Sequence, residues 1–246
     1  MPSGTFSFVS SGHVAASELD MLVRPKATTL KRGVLYVHGV EAANGGGAEW
    51  EKFSERSALI SSLVLAGFEI ASADLGGNST WGNATVLSRI SAARDYLLTQ
   101  GVLPNKIAIV ATSMGALNAL CWIAVNPSLV SCFVGMLPVV NLTDVHANNR
   151  GGFQPAINAA YGGSYSEALY GATHNPATMA ASGKYAGVPI QFWYGSTDSI
   201  VIPSTVAAFQ AAAGALCTTT QIVGGHAEST YGGVLCTSVA SFIESF

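Results

Sequence analysis

The stretch Lys106-Ile107-Ala108-Ile109-Val110-Ala111-Thr112-Ser113-Met114-Gly115-Ala116-Leu117 constrains this chain more than any other. Its β-branched residues over 107–110 read as a buried strand. The Ala- and Leu-rich run over 114–124, stopped by Asn126-Pro127, reads as a helix. Ser113 stands between them, with compact Ala111 two residues before it and Gly115 two after. A serine on so sharp a strand-to-helix turn needs small neighbours there, because larger side chains would keep the helix from packing back onto the strand. Its hydroxyl is then lifted above the sheet, in front of the free N–H groups and positive dipole end of the helix. The plainer alternative is a turn serine that caps the helix.

The rest of the chain alternates strand and helix patterns. Strands are expected at 6–9, 19–23, 33–37, 68–74, 130–140, 189–194 and 218–223, and helices at 49–65, 84–99, 203–213 and 231–246. The first two strands read as an antiparallel lead-in. The alternation predicts one α/β domain over residues 1–246, with a mostly parallel central sheet and helices on both faces. Residues 141–187 break the rhythm: polar and aromatic residues mix, glycines recur and no period persists. That segment reads as a small cap inserted after one strand.

The 246 residues, 49% of them apolar, suffice for a full core. Only 10% are charged and the net charge is −3, which argues against nucleic acid or an anionic membrane as partner. With a mean hydropathy of +0.39, much of the surface must be Ala, Gly, Ser, Thr and Asn, so contacts in a homo-oligomer or larger assembly are expected. No apolar run reaches the ~18 residues of a membrane span, and the first residues lack the basic flank and apolar core of a signal peptide. The four cysteines, Cys121, Cys132, Cys217 and Cys236, have no C-x-x-C spacing, so no zinc or redox motif is expected. Cys121 and Cys132 fall in apolar elements. Cys217 and Cys236 either pair or, more simply, leave four free thiols.

A serine hydroxyl is a poor nucleophile at neutral pH and needs a base, itself oriented by a carboxylate. The serine turn matches the G-x-S-x-G nucleophile elbow, with Ala111 in place of the first glycine. On this motif the chain, from about residue 33 to 246, resembles the α/β-hydrolase family. The resemblance implies a nucleophile, an acid and a histidine in that chain order, each on a loop at the carboxyl end of a strand. Tyr194-Gly195-Ser196-Thr197-Asp198-Ser199 looks like the family's acid loop, and Gly224-Gly225-His226 follows the last strand, where the family places its histidine. Ser113, Asp198 and His226 are thus the expected catalytic set. Asp144, after the preceding strand, is a rival acid. The bland alternatives are that Asp198 caps the 203–213 helix and that His226 is a turn histidine.

The family's oxyanion donors would be the N–H of Met114 and one from His38-Gly39-Val40-Glu41, which resembles its HG signature. Val40 is the expected donor, with Gly39 or Glu41 as alternates. His38 itself reads as structural, and His13 as a solvated loop residue. His146 and His174 fall in the cap without a third residue spaced for a metal. Gly45-Gly46-Gly47 lacks the Lys-Ser/Thr of a phosphate loop. No cofactor or metal is called for.

Gly39, Glu41, Trp81, Tyr161 and Trp193 are the expected substrate contacts. With Phe153, Tyr165, Tyr170, Asn148, Asn149 and Arg150 in the cap, they suit a carbohydrate or aryl ester, unless the rings merely hold the cap down. The resemblance implies carboxylic-ester hydrolysis through an acyl-enzyme. The alternatives are a peptidase or acyltransferase on the same fold, or a non-catalytic binding or structural module. The missing signal peptide implies a cytoplasmic or virion-associated setting, and a general similarity to small hydrolases of actinobacteria and their phages would fit export inside a virion or by lysis.

Overall fold

Strands that are apolar at every position are stable only where both faces of the sheet are covered. Val34 and Tyr36 enter one core while Leu35 and Val37 enter another; likewise Ala108 and Val110 face one side, and Ile107, Ile109 and Ala111 the other. The computed structural model describes residues 6–10, 21–25, 32–42 and 54–246. Among them, eight strands form one sheet: β1 (Phe6–Ser10), β2 (Met21–Pro25), β3 (Arg32–Val37), β4 (Phe68–Ser72), β5 (Ile107–Thr112), β6 (Phe133–Met136), β7 (Ile190–Gly195) and β8 (Cys217–Ile222). The order is β1-β2-β4-β3-β5-β6-β7-β8. β1 and β2 join antiparallel at one edge, and the other six strands run parallel. His13, residues 19–20 of the second expected strand, the 45–47 glycine loop and residues 49–53 of the first expected helix lie outside the described residues.

Helices Ser54–Leu65 and Cys236–Glu244 cover one face through Leu59, Ile60, Leu63, Val239 and Ile243. Helices Ala84–Thr99, Met114–Ile123 and Pro203–Ala213 cover the other. Every residue of Met114–Ile123 is buried. Its close seat depends on Gly115, where a Cβ would lie 2.3 Å from the backbone oxygens of Val37 and His38. Among the described residues, no helix is long and apolar enough to cross a membrane.

Two expected elements are shorter than the sequence pattern by several residues, and β4 ends two residues early, at Ser72. β6 ends at Met136, because Leu137 takes a positive φ of 46° and the chain swings under Ser113, whose carbonyl accepts the Val139 N–H. The closing 231–246 pattern splits into a 3-10 turn, Glu228–Gly233, and the helix Cys236–Glu244. The break falls after Gly232-Gly233, where helix propensity is lowest.

Residues 141–187 form four short helices, Leu142–Ala147, Gln154–Ala160, Glu167–His174 and Pro176–Ala181. Leu142, Val145, Ile157, Tyr165, Met179 and Tyr185 from this segment belong to the main core. It is anchored through its apolar face rather than laid loosely over the sheet.

Candidate active site

Three strand ends supply the polar groups that meet at one rim of the sheet. β5 ends and the chain reverses at Ser113, with φ 48° and ψ −120°. A non-glycine residue holds this conformation only when its surroundings impose it. Here the Ser113 N–H donates to the Met136 carbonyl at 3.0 Å, and its own carbonyl accepts the N–H groups of Ala116 and Val139. Beyond β7, Asp198 Oδ1 accepts the N–H groups of Ile200 and Val201, each at 2.8 Å. That leaves Oδ2 for His226 Nδ1, at 2.7 Å. Beyond β8, Gly224-Gly225 turns the chain so that His226 Nε2 lies 2.7 Å from Ser113 Oγ. A carboxylate only accepts, so Nδ1 carries the imidazole proton and the Nε2 lone pair faces the serine hydroxyl.

The acid and histidine loops are fixed to each other. Thr197 N–H donates to Gly224 O at 2.9 Å, and Thr230 Oγ1 donates to Gly225 O at 2.8 Å. A Cβ on Gly195 would sit 2.6 Å from Gly224 O, so this close approach requires glycine. Asp144, the rival acid, is engaged elsewhere: Arg150 donates to it through Nε at 2.5 Å and Nη2 at 3.0 Å. His226 is hydrogen-bonded to Asp198 and not to Asp144.

Val40, Glu41, Leu137, Ala227 and Tyr231 surround Ser113 and His226 in a pocket of about 150 Å³, closed on one side by Arg56 and Glu228. Of the segment expected to supply an oxyanion donor, Gly39 N–H donates to Glu41 Oε1 at 2.9 Å, and the Glu41 N–H also faces that carboxylate. Met114 opens its helix, where no preceding turn offers a carbonyl to its N–H.

The aromatic substrate contacts expected from sequence are not brought to this pocket. Trp81 is 1% exposed and packs on Phe153 at 5.0 Å between ring centres, and its carbonyl accepts the Tyr161 hydroxyl at 2.8 Å. Tyr161 in turn packs on Tyr165 and Tyr170. Trp193 is buried on the opposite face of the sheet, donating from Nε1 to Gln191 at 3.1 Å. Trp81 and Tyr161, with Phe153, Tyr165 and Tyr170, hold the 141–187 segment to the core. Gly39 and Glu41 do lie at the site, Glu41 as part of the pocket wall. His38 is 1% exposed with both ring nitrogens against backbone carbonyls. His146 and His174 face Asn158 and Thr173.

Sequence reading missed Arg56 and Glu228. Arg56 is 4% exposed, donates to Glu228 through Nε at 2.9 Å and Nη2 at 2.7 Å, donates to Glu41 through Nη1, and lies 4.7 Å above the Tyr231 ring. Burial alone would raise the Glu41 pKa, but the Arg56 charge and the two backbone donors outweigh it and hold the carboxyl below its ordinary value. Among the described residues, no three of His, Cys, Asp and Glu converge on a point where a metal ion would sit. All four thiols are free.

No protein-family model matches the chain, and no curated protein sequence does. Solved structures match it over nearly its whole length. The Staphylococcus aureus fluorophosphonate-binding serine hydrolase F is 12% identical, covering 98% of this chain and 99% of its own, with a TM-score of 0.77. An S-formylglutathione hydrolase from Agrobacterium tumefaciens is 14% identical, covering 98% and 95%, with a TM-score of 0.71. A truncated form of a carbohydrate esterase from gut microbiota is 15% identical, covering 99% of this chain and 97% of the truncated one, also at 0.71.

Proposed function

We propose that this chain, which has the α/β-hydrolase fold, is a serine hydrolase that cleaves short-chain carboxylic esters. The observation that carries this reading is the series Ser113 Oγ, His226 and Asp198, joined at 2.7 Å and 2.7 Å. Ser113 Oγ attacks the ester carbonyl as His226 Nε2 takes its proton, and Asp198 holds the imidazole in the needed tautomer. The N–H groups of Met114 and Val40 receive the oxyanion, each worth roughly 3 kcal/mol of barrier. His226 passes the proton to the leaving alkoxide. Water then attacks the acyl-Ser113 ester, giving up a proton to His226, which returns it to Ser113 as the carboxylic acid leaves.

The pocket of about 150 Å³ is small beside the ~300–1,000 Å³ of drug-sized ligand sites, which favours a short acyl group. The aromatic argument for a sugar or aryl ester lapses with Trp81, Tyr161 and Trp193 away from the pocket. A panel of p-nitrophenyl acetate, butyrate and octanoate, a thioester and an anilide tests the assignment. The expected order is acetate at or above butyrate, with octanoate and anilide at least about tenfold lower in kcat/KM, and all activity lost in Ser113→Ala. Hydrolysis persisting in folded Ser113→Ala would overturn it.

A further inference from the structure

We propose that Arg56 is a positioning residue that sets the oxyanion loop and the histidine loop against each other. The inference rests on the reading of Ser113 and His226 as nucleophile and base. Val40 and Glu41 follow β3, whereas His226 and Glu228 follow β8. Three strands, β5, β6 and β7, stand between them in the sheet, a separation of roughly 19 Å at strand spacing. No ladder hydrogen bond therefore fixes one loop relative to the other.

The two loops converge above the strand ends, and the Arg56 guanidinium joins them there from a third element, the helix Ser54–Leu65. Its Nε and Nη2 grip both oxygens of Glu228, at 2.9 and 2.7 Å, and its Nη1 donates to Glu41 Oε1. The same Glu41 oxygen accepts the Gly39 N–H at 2.9 Å and the Thr112 hydroxyl at 3.0 Å. One carboxylate oxygen thus joins the guanidinium to the loop bearing Val40 and to the residue immediately before Ser113. The other arm ends two residues beyond His226. Side-chain exposures of 4% for Arg56, 17% for Glu41 and 26% for Glu228 place the pairs out of bulk water, where geometry is held more firmly than at a surface. The planar fork matters, since an ammonium is a single point of charge and cannot grip Glu228 with two parallel bonds while reaching Glu41.

The test is steady-state hydrolysis of p-nitrophenyl acetate by wild type, Arg56→Lys, Arg56→Met and Glu228→Gln. Active sites are counted by fluorophosphonate incorporation, and folding is checked by thermal melting. A displacement of the order of an ångström costs catalysis up to about a hundredfold. The expected result is kcat lowered about a hundredfold in Arg56→Met and about tenfold in Glu228→Gln, with KM within about twofold, and no rescue by Arg56→Lys. Glu228→Gln made in the Arg56→Met background should cost nothing further. Folded variants with wild-type kcat, or with KM raised and kcat unchanged, overturn the proposal. If Arg56→Met fails to fold, Glu228→Gln decides alone. A wild type that neither hydrolyses the ester nor takes up the probe overturns the reading of the site itself.

Discussion

The backbone oxygen of His38, just past β3, lies 2.3 Å from where Gly115 would carry a Cβ. The second small position of the serine turn is therefore in close contact with the loop that supplies Val40. Two features that read as separate motifs in sequence are one packing unit. Gly115→Ala should push the helix off the strand and destabilise the protein by about 3 kcal/mol or more, lowering Tm by at least about 6 °C. Ser113→Ala, which removes one oxygen, should melt near wild type. Thermal denaturation of the two variants side by side checks this.

Asp198 and Asp144 are separated by their partners. Asp198→Asn should lower kcat about 10⁴-fold, because an amide nitrogen facing Nδ1 reverses the imidazole tautomer. Asp144→Asn disturbs its pair with Arg150 and the bond it accepts from Asn148, neither of them at Ser113 or His226, and should keep kcat within about twofold. Equal losses in the two variants would count against the assignment of the acid.

Glu167 gives a pH dependence of folding. Burial by itself would raise its pKa, but donation from Thr143, from Thr178 at 2.5 Å, from the Tyr165 hydroxyl at 2.9 Å and from Asn175 at 3.0 Å outweighs burial and lowers the pKa below 4.5. The unfolded chain then binds a proton at this carboxyl more readily than the folded one, so protonation favours unfolding. The stabilisation is complete above pH 4.5 and is lost as pH falls through the folded value. Urea unfolding from neutral pH to about pH 3 should show wild type more stable than Glu167→Gln, with a gap that closes on acidification. A gap independent of pH contradicts it.

The thiols should be inert in the native state. Burial pushes Cys132 and Cys217 up to about 12, and Cys121 higher still, while Cys236 is half-buried with a smaller rise. Thiolate is the reactive form, so iodoacetamide at neutral pH should modify at most Cys236 in the folded protein and all four cysteines after denaturation. Mass spectrometry gives the count, and a Cys217–Cys236 disulfide would leave two sites unmodified.

The features legible in sequence were those encoded locally. The serine turn is fixed by Ala111, Gly115 and the flanking strand and helix, all within a few residues. His226 was legible because paired glycines follow the last strand pattern. Arg56 was not, because its bond to Glu228 joins residues 172 apart in sequence, and nothing near either residue signals the other. Trp81, Tyr161 and Trp193 lie outside the pocket lining, because an aromatic side chain does not declare which face of the sheet it will occupy. The helices over 141–187 are six to eight residues long, too short to display a period. Leu137 and Gly232-Gly233 ended elements whose apolar patterns ran on past them.

The most direct measurement is peptide mapping of the protein after treatment with a fluorophosphonate. One phosphonylated residue is expected, Ser113, with the label absent from Ser113→Ala and its uptake strongly slowed in His226→Ala. Label on another residue, or a folded wild type whose Ser113 stays unmodified, would contradict it.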